Sequence, residues 1–195
     1  MSLPIFEGFP KIPRYNRDIV ITEKIDGTNA QILIPDEVGS SYVTNTGQVL
    51  PFLCGSRTRW ILPENDNHGF AKWAYSHVEE LLRLGPGHHF GEWWGLGINR
   101  NYGLAEKRFS LFNIGRWRGK EDQLPGCVSL VPILYEGPHE QEAMDKVVAS
   151  LWVDGSKAAP GFMKPEGIVI YHTAARQLFK ITLENDAKPK GASDA

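Results

Sequence analysis

The 195-residue sequence predicts a mixed α+β domain, and three observations carry that prediction. Short β-branched and aromatic segments recur along the chain, bounded by Gly, Pro and Asn. Two longer stretches repeat apolar residues at helical spacing. The length suits one domain with one core, large enough to bury roughly 70% of the surface that the unfolded chain exposes.

In chain order, residues 1–18 hold Pro4, Pro10 and Pro13 among Phe6, Phe9 and Tyr15, and read as an irregular arm packed onto the core. Residues 19–24 form a strand that delivers Lys24 to an edge, Asp26-Gly27 is a turn signal, and Ala30 to Ile34 is a second strand, so a hairpin is expected. Residues 38–51 are a polar loop or short hairpin. Phe70 to Leu84 is an amphipathic helix stopped by Gly85-Pro86-Gly87. Strands follow at 90–95, 108–114 and 128–134, the last around Pro132. Pro138 opens a second amphipathic helix, with Ala143, Met144, Val147, Val148 and Leu151 on one face and Asp154-Gly155 as its stop. Two β-branched strands, at 168–171 and 178–183, precede a tail over 184–195 whose composition suits disorder.

Composition excludes several classes. No apolar run is long enough to cross a bilayer, and the N-terminus lacks the basic start and apolar core of a secretory signal. Cys54 and Cys127 lack metal-ligand spacing and need not pair, so a reducing, cytoplasmic compartment is expected. His77, His88 and His89 have no acid or cysteine at ligand spacing and read as surface histidines, and Asn65-Asp66-Asn67-His68-Gly69 lacks the closing glutamate of a calcium loop. The formal charge of -2 does not advertise a nucleic-acid binder. Between Arg100 and Lys120, however, basic residues alternate with Tyr102, Phe109, Phe112 and Trp117. That mixture suits a phosphate backbone with stacked bases, and equally a solvated face.

Chemistry-bearing residues are spread along the chain. A lysine amine is a nucleophile only when unprotonated, and a strand end beside a glycine turn can hold one where burial favours that form. Arg57 and Arg59 alternate on a segment read as extended, giving a forked donor array for phosphate oxygens. Glu92 sits inside an apolar aromatic segment and needs a partner there, whether an arginine, backbone amides, a sugar hydroxyl or a lysine. Glu166-Gly167 stands at the mouth of a β-branched strand, and Lys180 lies on the alternating strand after it.

The segment Glu23-Lys24-Ile25-Asp26-Gly27-Thr28-Asn29 resembles the Lys-x-Asp-Gly motif of the nucleotidyltransferase superfamily of ATP-dependent ligases and mRNA capping enzymes. It is most similar to the RNA ligase 2 type, named after the phage T4 enzyme; DNA ligases usually carry Arg where Asn29 stands here. Phe90-Gly91-Glu92, the segment around Phe112, Glu166-Gly167 and Lys180 then fall in the family's order. Two departures stand out: Asn113 replaces the usual acid after the stacking aromatic, and Thr182 replaces the second lysine of Lys-x-Lys.

The resemblance implies a ligase-type adenylation domain over residues 1–183, two antiparallel sheets flanked by helices. The sequence ends 15 residues beyond Lys180, so the further C-terminal domain of the phage T4 type is not expected. It implies that Lys24 becomes a lysyl-AMP, with ATP and Mg²⁺ or Mn²⁺ as cofactors. Glu23, Arg57, Glu92, Phe112, Glu166 and Lys180 would contact the nucleotide, Phe112 on the adenine, Glu92 on the sugar and Lys180 on the α-phosphate. Asn29, Arg57 and Arg59 would meet RNA, and Glu166 and Asp26 the metal. The partner would be RNA with 5′-phosphate and 3′-hydroxyl ends, handled by a monomer. A GTP-using capping-type enzyme, another nucleotidyltransferase, or an RNA-binding module with an unreactive lysine are the alternatives, separated by which labelled nucleotide stays on the protein.

Overall fold

The computed structural model describes residues 3–37 and 39–184; the tail expected from 184 onward lies, but for Glu184, outside them. The fold is α+β, built on two principal sheets. The first has four strands in the order β10-β1-β11-β12: β10 (Ile133–Gly137), β1 (Ile19–Lys24), β11 (Gly167–His172) and β12 (Gln177–Thr182). The second has six in the order β6-β5-β2-β7-β8-β9: β6 (Trp60–Ile61), β5 (Leu53–Gly55), β2 (Thr28–Ile34), β7 (Gly87–Gly95), β8 (Lys107–Leu111) and β9 (Val128–Leu130). All pairings are antiparallel except β8 with β9. A small hairpin, β3 (Tyr42–Val43) with β4 (Val49–Leu50), occupies the stretch read as loop or hairpin.

Each sheet buries one face under helices. The stretch 70–84 forms two helices, α1 (Phe70–Ser76) and α2 (Val78–Leu82), because the chain breaks at His77, whose Nδ1 lies 2.8 Å from the Trp73 carbonyl. Phe70, Ala74 and Leu81 pack with Ile32, Trp93 and Phe109 of the six-stranded sheet and with Phe52 just before β5. A four-residue helix, α3 (Ile114–Trp117), begins where the sequence suggested that β8 continued. The second amphipathic stretch is α4 (Gln141–Asp154), ended by Gly155, and its Met144, Val147 and Leu151 cover Ile19, Ile21, Ile168 and Ile170. Burying each such side chain is worth about 1.5–3 kcal/mol, so these two interfaces set the positions of the sheets.

The connections between sheets overturn two sequence expectations. β1 and β2 are not a hairpin: they belong to different sheets, and Ile25-Asp26-Gly27 carries the chain across. The stretch 128–134 is likewise not one strand; it divides at Val131-Pro132 into β9 and β10, one in each sheet. Proline ends the ladder by lacking an N–H, while its carbonyl accepts a 3.0 Å hydrogen bond from the Glu23 amide. Where the crossings meet, Ile25, Trp94, Tyr102, Val131 and Ala159 form a third small core. The N-terminal arm does not pack as expected: Leu3, Ile5, Phe6 and Phe9 are almost fully exposed, and the first firm contact is the Tyr15 carbonyl, 2.6 Å from His172 Nε2. Nor is His89 a surface histidine; it is buried, with Nε2 2.8 Å from the Gly85 carbonyl.

Candidate active site

Strand alternation places the lysine. Along β1, Ile19, Ile21 and Glu23 face the core, while Val20, Thr22 and Lys24 face the open side. Lys24 pairs in register with Gly167, and its Nζ donates to Glu166 Oε2 at 2.5 Å. Both side chains are largely covered, so the sheet brings together a reactive-type amine and a carboxylate separated by 142 positions. Gly167 is required by close approach: a Cβ there would collide with the Ile181 carbonyl oxygen.

Glu23 points the other way. It is only 1% exposed, and its carboxylate accepts hydrogen bonds from Ser156 Oγ, Lys157 N and Ala158 N at 2.5, 2.7 and 2.8 Å. Its side chain therefore anchors the loop after α4 instead of facing the open side with Lys24.

The turn after Lys24 rests on Glu92. Gly27 N donates to Glu92 Oε1 at 3.1 Å and Asn29 Nδ2 to Oε2 at 2.9 Å, across the paired residues Asn29 and Glu92 of β2 and β7. Burial, opposed by those hydrogen bonds and by the nearby Lys24, pushes the Glu92 carboxyl up to about 7. Gly27 is needed for contact with β7: a Cβ would run into the Trp93 carbonyl oxygen. The Asp-Gly pair here joins two sheets rather than turning a hairpin.

The start of the stretch read as basic and aromatic instead clamps the same turn. Arg100 Nε donates to Asp26 Oδ2 at 3.1 Å and its Nη1 to the Lys164 carbonyl at 3.1 Å, tying the Lys24 turn to the segment before Glu166. Asn99 Nδ2 donates to the Gly27 carbonyl and to Asp26 Oδ1, and the buried Tyr102 hydroxyl accepts from Asp26 N at 2.8 Å. Asn99, Asn101 and Tyr102 all have positive φ. The available signal was the run of turn formers from Gly97 to Gly103. Asp26 is thus held through both carboxylate oxygens by Asn99 and Arg100; among the described residues no group of three or more acids, histidines or cysteines is suited to a metal.

The remaining residues surround this centre unequally. Lys180 shares the open face: it pairs with Val169 and, through it, aligns with Thr22, so it lies two strands from Lys24, about 10 Å across the sheet. Phe112, just past β8, is 42% exposed and bonds through its amide to the Phe90 carbonyl. Arg57 and Arg59 do not alternate on a strand. They occupy the turn between β5 and β6, closed by Ser56 N donating to the Arg59 carbonyl at 2.8 Å, and both are exposed.

The basic stretch 100–120 is mostly internal scaffolding. Arg116 donates to the Leu84 and Pro86 carbonyls, Lys107 to the His68 carbonyl, Arg118 pairs with Glu136 and Arg108 with Glu106. Tyr102, Phe109 and Trp117 are buried, leaving Phe112 as its exposed aromatic. Cys54 and Cys127 are free, and burial pushes their thiols up to about 12 and about 11, away from reactivity.

Comparison with known proteins shows the family and the fold. The family model described as RNA ligase matches residues 17–182. Solved structures of a Naegleria gruberi RNA ligase share the fold: the enzyme with PPi superposes with a TM-score of 0.58 at 20% identity, covering 85% of this chain and 49% of that one. A point mutant of the same enzyme with ATP and Mn gives 0.59 at 21%, covering 86% and 50%. The chain thus spans about half the length of these relatives. Curated proteins give no match.

Proposed function

Because the chain belongs to the RNA ligase family, we propose that it is an ATP-dependent RNA ligase whose adenylation domain occupies residues 1–183. The observation that carries this reading is the Lys24 amine held 2.5 Å from Glu166, one turn away from Glu92. In the first step the Lys24 nitrogen forms a bond to the ATP α-phosphorus as the bond to the bridging oxygen breaks, releasing pyrophosphate. The amine must be unprotonated for this, and Glu166, its hydrogen-bond acceptor, orients the nitrogen. AMP then passes to an RNA 5′-phosphate, and an RNA 3′-hydroxyl displaces it to join the ends.

The other residues position and neutralise. Glu92, fixed by Gly27 and Asn29, faces the sugar; Phe112 offers a half-exposed ring to the adenine; Lys180 reaches from the same open face towards the phosphates. Phosphoryl transfer depends on such charge placement more than on covalent help. Mg²⁺ or Mn²⁺ fits a site with few protein ligands, because such ions borrow one or two carboxylates and take the rest from phosphates and water. Glu166 would hold it, with Asp26 reaching it through water; the ion supplies charge neutralisation when bound. Asn29 meets the RNA end, and Arg57 and Arg59 meet the RNA backbone.

The test is the intact mass after exposure to ATP and a divalent metal. Wild type gains one AMP, Lys24→Ala gains none, and GTP leaves no label. A wild-type mass that stays unchanged overturns the proposal, and label from GTP instead reassigns the chain to capping-type chemistry.

A further inference from the structure

The open face of the six-stranded sheet carries a row of exposed rings that the adenylation chemistry does not use. In-register pairing aligns Trp60 with Gly55, Gly55 with Gln31 and Gln31 with Phe90, across β6, β5, β2 and β7. Gly55 has no side chain, and the Gln31 side chain lies over it: a Cβ would meet Gln31 Cγ at 2.7 Å. Gln31 is itself fixed, donating through Nε2 to the Ser56 carbonyl at 3.1 Å and meeting His88 Nδ1 at 3.3 Å. His88 then fills the space between the larger rings. Its centroid is 5.2 Å from Phe90 at an interplanar angle of 7°, and 6.4 Å from Trp60 at 27°. The three rings therefore share an orientation, yet Trp60 is 46% exposed and Phe90 48%.

Large aromatic rings left half in water on a pleated sheet, aligned and held by a polar brace, lack a structural reason to stay uncovered. The geometry points to a stacking platform for the unpaired bases of a single RNA strand, running over Phe90, His88 and Trp60 away from the Lys24 turn. Two features select that occupant. The row lies on the same face as Asn29 and Glu92, one alternation along β2 and β7, so it continues directly from the candidate active site. At its far end the Ser56–Arg59 turn presents Arg57 and Arg59, which have no ion pair among the described residues, beside Trp60. Rings for bases with cations for phosphates are what single-strand recognition requires, and a duplex, whose bases are hidden, would satisfy only the cations.

This inference rests on the RNA ligase reading, since it supplies the path of the strand whose end is joined. The test uses the full chain and a short 5′-phosphorylated oligoribonucleotide, single-stranded or annealed to its complement, with binding followed by anisotropy and tryptophan fluorescence. Wild type should bind the single strand with quenching. Trp60→Ala and His88→Ala should weaken single-strand binding roughly five- to a hundredfold. Trp60→Phe should retain binding and lose part of the quench. Duplex binding and its salt dependence should not change with Trp60, whereas Arg57→Ala with Arg59→Ala should flatten the salt dependence for both ligands. Single-strand affinity unchanged in Trp60→Ala overturns the platform. Lysyl-AMP formation in the same samples separates the two readings: wild type without it, but with ring-dependent binding, overturns the ligase proposal and leaves the platform standing.

Discussion

Glu92→Gln tests how the site manages a buried carboxyl. Glu92 is 8% exposed, and burial raises its carboxyl from about 4.5 to about 7. In the unfolded chain the group releases its proton near 4.5, while the folded protein retains it until near 7. Between those values the unfolded state binds fewer protons, so folding stability falls as pH rises and levels off above about 7. The shift corresponds to about 3 kcal/mol of stability present below pH 4.5 and lost by about pH 8. Glutamine is neutral throughout and keeps the shape. It retains one acceptor oxygen for Gly27 N, and Asn29, its cross-strand neighbour, can present its own amide oxygen to the new NH₂. Urea unfolding of both proteins from pH 4.5 to 8 should therefore show the variant gaining on wild type by about 3 kcal/mol as pH rises, with equal slopes. A stability difference that stays flat with pH would refute the reasoning, because the carboxyl would then ionise alike in both states.

Three further outcomes follow from the same geometry. Gly27→Ala must displace the Trp93 carbonyl or the turn, and should lower stability by about 2 kcal/mol or more while abolishing lysyl-AMP formation, read by urea unfolding and intact mass. Glu23→Ala removes the acceptor for Ser156, Lys157 and Ala158 and should cost about 2–4 kcal/mol in urea unfolding; a loss under about 1 kcal/mol would mean that the loop finds other partners. Arg100→Lys keeps the charge but cannot reach Asp26 and the Lys164 carbonyl in two directions, so single-turnover adenylylation should slow by about tenfold, and a wild-type rate would remove Arg100 from the positioning of the Lys24 turn.

The local pattern of the chain was sufficient for most elements. β-branched alternation marked β1, β11 and β12, and apolar spacing with a glycine stop marked α4, because these features depend on neighbours in sequence. The same alternation placed Lys24 on the face opposite Ile19 and Ile21, and motif order identified Glu92, Glu166 and Lys180 as companions. What sequence could not decide was which strands pair. A Lys-x-Asp-Gly turn looks identical whether it closes a hairpin or joins two sheets, and only the packing of Ile25 with Trp94, Tyr102 and Val131 selects the second. Partners of charged groups were equally invisible. Glu23, Asp26 and the basic residues of 100–120 resemble free functional groups in a string of letters, yet Ser156, Arg100, Glu136 and the Leu84 carbonyl engage them from 18 to 133 positions away. Residue type and spacing determine what chemistry a side chain can perform; long-range contacts, formed only when two sheets and their helices close on a common core, determine which side chains remain available to perform it.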